Sequence, residues 1–456
     1  MTSEKPMAQD LKSDNNEMDN KSLVYSSLKV PFILLILCFA AWGSAANLSE
    51  VMVSVFRKIF TGMSNFQSGL VTFAYYGAYF LLAIPAAFIN RRFGYKVGVL
   101  TGLGLAAIGG FLFLPAAQVQ TYGAFLAALF VLAAGLSILE TSANPFAIAM
   151  GPEETATRRL NLAQVFNPVG ANIGVLLGAV VITPNIILGR AGATDPTGPA
   201  LREAQEHDLG IVLGPYLGIA TVLVIIWLLI AFKKIPVPQE QLEQEHLSSG
   251  AVDKKGWLGR LARNPHYRYG VVAQFFNIAA QVGTWSFTIQ YAESVVDASP
   301  RAAGWYLQAS LILFLISRFV MFVLLGYFRA TKLLAAMAGL GVVLALIGVL
   351  SPNMVGLIAV VCISLCLSLM FPTIYGVALQ GLGDDTKFGA AGLVMAILGG
   401  ALVSPAQGAV VDATGSQAAG FLIPAFGFAV VLAYAIFDLK SSRHGEHQAV
   451  VAEGSH

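Results

Sequence analysis

The chain has 456 residues, of which 56% are hydrophobic and only 11% charged, and its formal net charge is +2. A water-soluble domain carries about 25% charged residues, so a soluble enzyme or scaffold with a large polar surface is excluded. The near-neutral balance gives a polyanion such as nucleic acid no reason to bind.

Residues 1–28 are polar and mixed in charge and lack the apolar core of a signal peptide, so they are expected to form a disordered tail. Apolar runs long enough to span a bilayer follow at 29–54, 66–89, 97–115, 122–150, 161–183 and 211–232. A second set lies at 268–292, 302–327, 331–350, 354–377, 387–411 and 417–438. The pattern predicts an all-α membrane protein of twelve transmembrane helices in two six-helix halves, 29–232 and 268–438. A polar linker, 233–267, joins them, and a tail, 439–456, follows.

Basic residues set the expected orientation. With both termini in the cytosol, 21 of the 27 Lys and Arg fall in inner segments, five fall outside, and Arg318 lies within the eighth span. The halves also echo each other. Asn144-Pro145-Phe146 leads into Gly151-Pro152-Glu153-Glu154, and Phe371-Pro372-Thr373 leads into Gly381-Leu382-Gly383-Asp384-Asp385. Repeated six-helix halves place a transporter's binding site between them at mid-membrane.

Ionisable groups inside spans are functional candidates, because each costs about 2.5–3.5 kcal/mol on insertion scales unless compensated. Glu140 stands in the fourth span with no basic residue within a turn or two. Desolvation favours its neutral form, as a proton carrier requires. Glu50, in the first span, is a candidate for coupling and substrate contact. Arg318 is expected to sit in a structural ion pair, for example with Glu140.

Neutral amides form the second unusual population. Asn47 and Glu50 share one face of the first helix, and Glu140 and Asn144 one face of the fourth. Asn161, Gln164 and Asn167 step along the fifth; Gln274, Asn277, Gln281 and Trp285 step along the seventh. One buried amide is ordinary interhelical glue, but four aligned stripes point to a shared aqueous cavity. Amides both donate and accept, which suits a neutral polyhydroxy ligand, and Trp42 or Trp285 could stack on the C–H face of a sugar. Cys38, Cys362 and Cys366 lie in apolar runs without soft co-ligands and read as small apolar fillers. No metal, cofactor or nucleophile constellation is found, so the chain is not expected to be an enzyme.

Several motifs resemble a known family. They include Leu139-Glu140-Thr141-x-Ala143-Asn144-Pro145-Phe146, Gly151-Pro152-Glu153 and Arg159-Leu160-Asn161-Leu162-Ala163-Gln164-x-Phe166-Asn167-x-x-Gly170. Further matches are Asn65-Phe66-Gln67-x-Gly69-Leu70, Tyr95-Lys96-x-Gly98, Gln281-x-x-x-Trp285-Ser286 and Asp385-Thr386-Lys387-x-Gly389. The chain resembles the fucose–galactose–glucose–proton symporter family of the major facilitator superfamily across nearly all twelve spans.

The resemblance implies an alternating-access importer of a neutral sugar, fucose or another hexose, by proton symport. It implies a monomer in a bacterial cytoplasmic (inner) membrane, with proton coupling at Glu140 and Glu50. Asn47, Asn144, Gln164 and Asn167 match the family's cavity; the residues themselves add Asn277, Gln281, Trp285 and Phe371. Two positions depart from the pattern. The first-helix acid is usually Asp, and Glu50 carries its carboxyl about 1.5 Å further out. Phe371 stands before Pro372-Thr373-Ile374, where fucose-carrying members have Tyr. The alternatives are a sodium-coupled sugar symporter, separable by uptake in sodium-free buffer, and a drug–proton antiporter, whose cavity should hold more aromatics and fewer amides.

Overall fold

The structure is a computed structural model, and it describes residues 22–60, 65–182, 184–188, 198–235 and 256–453. In lipid every backbone amide must find its partner within the segment, so the apolar runs fold as helices. The first half comprises α1 (Lys29–Ile59), α2 (Asn65–Phe93), α3 (Tyr95–Phe111, extended by a turn at Phe113–Val119), α4 (Tyr122–Ala149), α5 (Ala156–Leu177) and α6 (Pro199–Phe232). The second comprises α7 (Pro265–Val295), α8 (Pro300–Leu324), α9 (Ala330–Leu350), α10 (Met354–Leu379), α11 (Thr386–Met395, a 3₁₀ turn at Ala396–Leu398, then Gly399–Thr414) and α12 (Leu422–Glu453).

Among the described residues, eleven of these segments are long and apolar enough to cross a membrane. The remaining one, α7, has 31 residues but carries Gln274, Asn277, Gln281, Gln290 and Glu293. Its polarity is that of a helix facing other helices and a cavity rather than lipid.

Three boundaries differ from the sequence expectation. Helix α6 begins at Pro199, not near 211, because a polar first segment with Glu203 and Glu206 continues the helix past its apolar run. There Asp208, fully buried, accepts the N–H groups of Ile187 (2.8 Å) and Leu188 (2.9 Å) and ties down the preceding loop. The linker contains a short helix, Trp257–Arg263, and Asn264 caps α7 by accepting from Tyr267 N at 3.1 Å. The backbone of α12 stays helical through Glu453, into the expected tail. Hydropathy marks where a helix is apolar, not where it stops.

Close helix contacts fix the wall between α1 and α5. Gly43 lies against the Asn167 carbonyl and Gly170 against that of Ala40, with no room for a Cβ at either. Ser44 Oγ donates to Gly170 O at 2.8 Å across the same seam. These small residues let two polar helices approach and present their amides side by side.

The halves meet mainly at one end, the end where the linker helix lies. There Asn161 donates to Thr373 Oγ1 at 3.3 Å, and Gly376 packs on Thr157. Phe388 of α11 takes the edge of Phe88 from α2 (5.1 Å), while Arg91 stands 5.5 Å over its ring. Arg158 covers Phe322 at 5.1 Å, and Lys387 covers Tyr95 at 5.7 Å. The linker helix joins this seal. Trp257 stacks on Phe388 at 4.3 Å, and Arg260 grips Asp385 through two hydrogen bonds of 2.7 Å.

Candidate functional site

Above this seal, between the halves, lies a cavity of about 910 Å³, within the size range of small-molecule sites, about 300–1,000 Å³. The first half contributes Trp42 and Asn47 from α1, Tyr75, Tyr76 and Tyr79 from α2, Glu140 from α4, and Gln164, Asn167 and Asn172 from α5. The second contributes Gln281, Trp285 and Ser286 from α7, Phe314 and Arg318 from α8, Phe371 from α10, and the Ile397–Pro405 stretch of α11.

Glu140 sits in the wall with only 1% of its surface exposed, and its Oε2 has no hydrogen-bond partner among the described residues. Beside it Trp42 Nε1 donates to the Tyr79 hydroxyl at 2.8 Å, and Tyr75 donates to the same oxygen at 3.3 Å. Ser137 Oγ donates to Tyr79 O at 3.1 Å and holds α2 against α4 at this level. One turn along from Glu140, Asn144 accepts from Gln164 Nε2 at 2.8 Å. Asn144 is fully buried and stands behind the cavity wall, bonded to Gln164.

Arg318 does not sit in the expected ion pair: among the described side chains it has no carboxylate partner within salt-bridge distance. Its Nη1 donates instead to the backbone carbonyl of Gln164, across the boundary between the halves, and its guanidinium lies 4.8 Å over Phe314. In place of a direct contact with Glu140, Arg318 meets Gln164, which in turn bonds Asn144 one turn along from Glu140. Phe314 in turn meets Trp285 edge-on at 5.1 Å, and Trp285 Nε1 is held by Ser364 Oγ at 2.9 Å. The Trp285 ring is thus fixed in orientation with part of its surface open to the cavity.

The structure brings together Asn47, Glu140, Gln164, Asn167, Gln281, Trp285 and Phe371 from the sequence candidates. Asn47 keeps its amide on the Gly43 carbonyl at 3.2 Å. Asn277 is not on the cavity wall; it is fully buried, and neither of its amide atoms has a partner among the described residues. The side chain of Glu50 lies outside the described residues, although its backbone continues α1 one turn beyond Asn47. The sequence reading missed Tyr75, Tyr76 and Tyr79. Their signal was three phenols at i, i+1 and i+4 within one apolar run, a spacing that puts the first and third on one face. Among the described residues no group of three or more His, Cys, Asp or Glu could hold a metal ion.

Chemically, the site offers donors and acceptors in pairs, two indole faces, one isolated carboxyl and one fixed cation. A neutral polyhydroxy molecule can be bound by such a set without bringing charge of its own.

Comparison with known proteins agrees with this geometry. The Major Facilitator Superfamily model matches residues 32–397. An L-fucose-proton symporter of Escherichia coli (strain K12) is 39% identical, with 91% of this chain and 94% of that one aligned. A glucose/galactose transporter of Brucella abortus biovar 1 (strain 9-941) is 33% identical, with 94% and 98% aligned. The crystal structure of a transporter of this superfamily, FucP, in the outward conformation superposes with a TM-score of 0.82 at 39% identity, covering 90% of this chain and 99% of that one.

Proposed function

Because the chain belongs to the Major Facilitator Superfamily, we propose that it imports a neutral monosaccharide, L-fucose, D-galactose or D-glucose, together with a proton by alternating access. The observation that carries this reading is the cavity wall itself, a lone buried carboxyl set among amides and aromatic faces. The basic-residue asymmetry puts the linker end in the cytosol, so the cavity above the seal belongs to an outward-facing state of a protein in a bacterial cytoplasmic membrane.

Sugar hydroxyls exchange water for Asn47, Gln164, Asn167 and Gln281, while the ring packs on Trp285. Glu140 takes a proton from the outer solution, and with its charge neutralised the cavity can be closed off from water at lower cost. Rocking of the halves opens the linker end, the proton leaves to the cytosol, and the emptied carrier returns. Each proton that enters draws about 2.3 kcal/mol per 100 mV from the membrane potential, which drives accumulation. Glu50 is proposed to assist at the outer end of α1, and the monomer as the working unit.

The test uses purified full-length protein in proteoliposomes, in sodium-free buffer, with a panel of labelled sugars. Glu140→Gln is expected to keep sugar counterflow and to lose accumulation driven by an imposed proton gradient. Full accumulation by that variant would remove Glu140 from the coupling role. Accumulation that requires sodium would replace the proton as coupling ion.

A further inference from the structure

Behind the cavity wall lies a further phenol, outside the lining itself. Tyr375 lies on α10 one turn beyond Phe371, and the two rings stack at 6.0 Å. It is fully buried, and its hydroxyl has no hydrogen-bond partner among the described residues. Its neighbours on α10 are those that touch the other half: Thr373 accepts from Asn161, and Gly376 packs on Thr157. Tyr375 shares the Phe371 face of α10, and both rings pack into the buried cluster that holds Leu139, Ala143 and Ala147 of the first half.

Three buried polar groups of this region have no hydrogen-bond partner among the described residues: Glu140 Oε2, Asn144 Nδ2 and the Tyr375 hydroxyl. The Tyr375 hydroxyl is within electrostatic reach of the Glu140 carboxyl, and Asn144 lies near both without meeting hydrogen-bond geometry with either. Other groups facing Tyr375 are the phenols of Tyr95 on α3 and Tyr267 on α7, and Tyr267 already donates to Gly389 O at 3.1 Å. A buried donor and a buried acceptor, both unmet and on opposite halves, cost free energy unless they find each other in some state of the cycle.

We propose that Tyr375 is the positioning residue through which the C-terminal half senses the charge on Glu140. When Glu140 is ionised, the Tyr375 O–H donates to its carboxylate across the boundary and holds the linker end shut. A charge-assisted bond of this kind is about twice as strong as a neutral one. Protonation of Glu140 turns it into an ordinary neutral contact, and the two halves part more easily at the end that must open next. The phenol keeps its own proton throughout, so no proton leaves the carboxyl by this route. The inference rests on Glu140 as the coupling carboxyl.

Tyr375→Phe removes one oxygen and keeps the ring stack. Labelled-sugar counterflow (L-fucose, D-galactose and D-glucose in turn) measured against pH reads the state of Glu140 directly. In Tyr375→Phe the pH midpoint of counterflow is expected to move up by about half a unit or more, because a carboxylate deprived of a donor takes up its proton more readily. Proton-driven accumulation is expected to fall several-fold. In the Glu140→Gln background, Tyr375→Phe should change neither. An unmoved pH midpoint in Tyr375→Phe, alongside a lost pH dependence in Glu140→Gln, overturns the role of Tyr375 and leaves that of Glu140 standing. Equal losses from Tyr375→Phe in both backgrounds mean that the hydroxyl serves packing only, which also overturns it. Wild-type accumulation in Glu140→Gln brings down both.

Discussion

The two halves share an architecture but turn different chemistry to the cavity. The first half presents a carboxyl, Glu140, with amides on α1 and α5 and the hydrogen-bonded Trp42–Tyr79–Tyr75 group. The second presents a guanidinium, Arg318, with the rings of Trp285, Phe314 and Phe371. A carboxyl can gain or lose its charge within the cycle, whereas a guanidinium stays charged. The switchable charge thus belongs to one half and the fixed charge to the other, and Arg318 reaches across to the carbonyl of Gln164, whose side chain bonds Asn144 one turn from Glu140. On the proposed function the first half carries the proton, while the sugar is held between the amides of the first half and the rings of the second.

The sharpest way to break that comparison is Arg318→Gln. It removes a buried cation that touches both halves, and truncating one member of a buried charged hydrogen bond costs about 2–5 kcal/mol. The expected result is a fall in kcat/KM for uptake of about 100-fold or more, with little recovery in Arg318→Lys because lysine lacks the planar fork. A variant that transports normally would show that the fixed charge is dispensable.

Trp285→Ala comes next. Losing a pre-oriented ring beneath the sugar removes about 1–2 kcal/mol, so KM is expected to rise about ten-fold while the proton-to-sugar ratio stays the same. A changed ratio would mean that Trp285 itself takes part in coupling. Trp42→Phe tests the opposite half more gently, since it keeps an aromatic ring while deleting the N–H that Tyr79 accepts, together with the indole's five-membered ring. A loss of about 1 kcal/mol, some five-fold in kcat/KM, is expected.

The smallest effect belongs to the linker helix. The Arg260 and Asp385 side chains are 39% and 14% exposed, and such pairs contribute about 1 kcal/mol or less. Arg260→Ala should shift the balance between outward- and inward-facing states by less than about five-fold toward inward, read as the ratio of apparent sugar affinities from the two sides. The shift should shrink as salt is added to wild type, since screening weakens the same bridge. Trp257→Ala should exceed it, because the ring buried on Phe388 does not depend on salt.

Much of this was legible without coordinates. Apolar runs of about 20 residues can only be helices in lipid, so their order and the polar break after Phe232 lay open in the chain. Glu140 was legible for the same reason, as a lone carboxyl in an apolar run has few bland explanations. Spacing also showed that amides share faces within α1, α4, α5 and α7. It did not show what each face meets. On α7, Gln281 and Trp285 reach the cavity while Asn277, one turn earlier, is buried away from it. Arg318 finds a carbonyl on α5 rather than a carboxylate, and Tyr375 comes to stand beside Glu140 from 235 residues further along the chain. Periodicity is a property of one helix and is written locally. The partner of a face depends on how twelve helices pack at long range, and that was decided only by the tertiary structure.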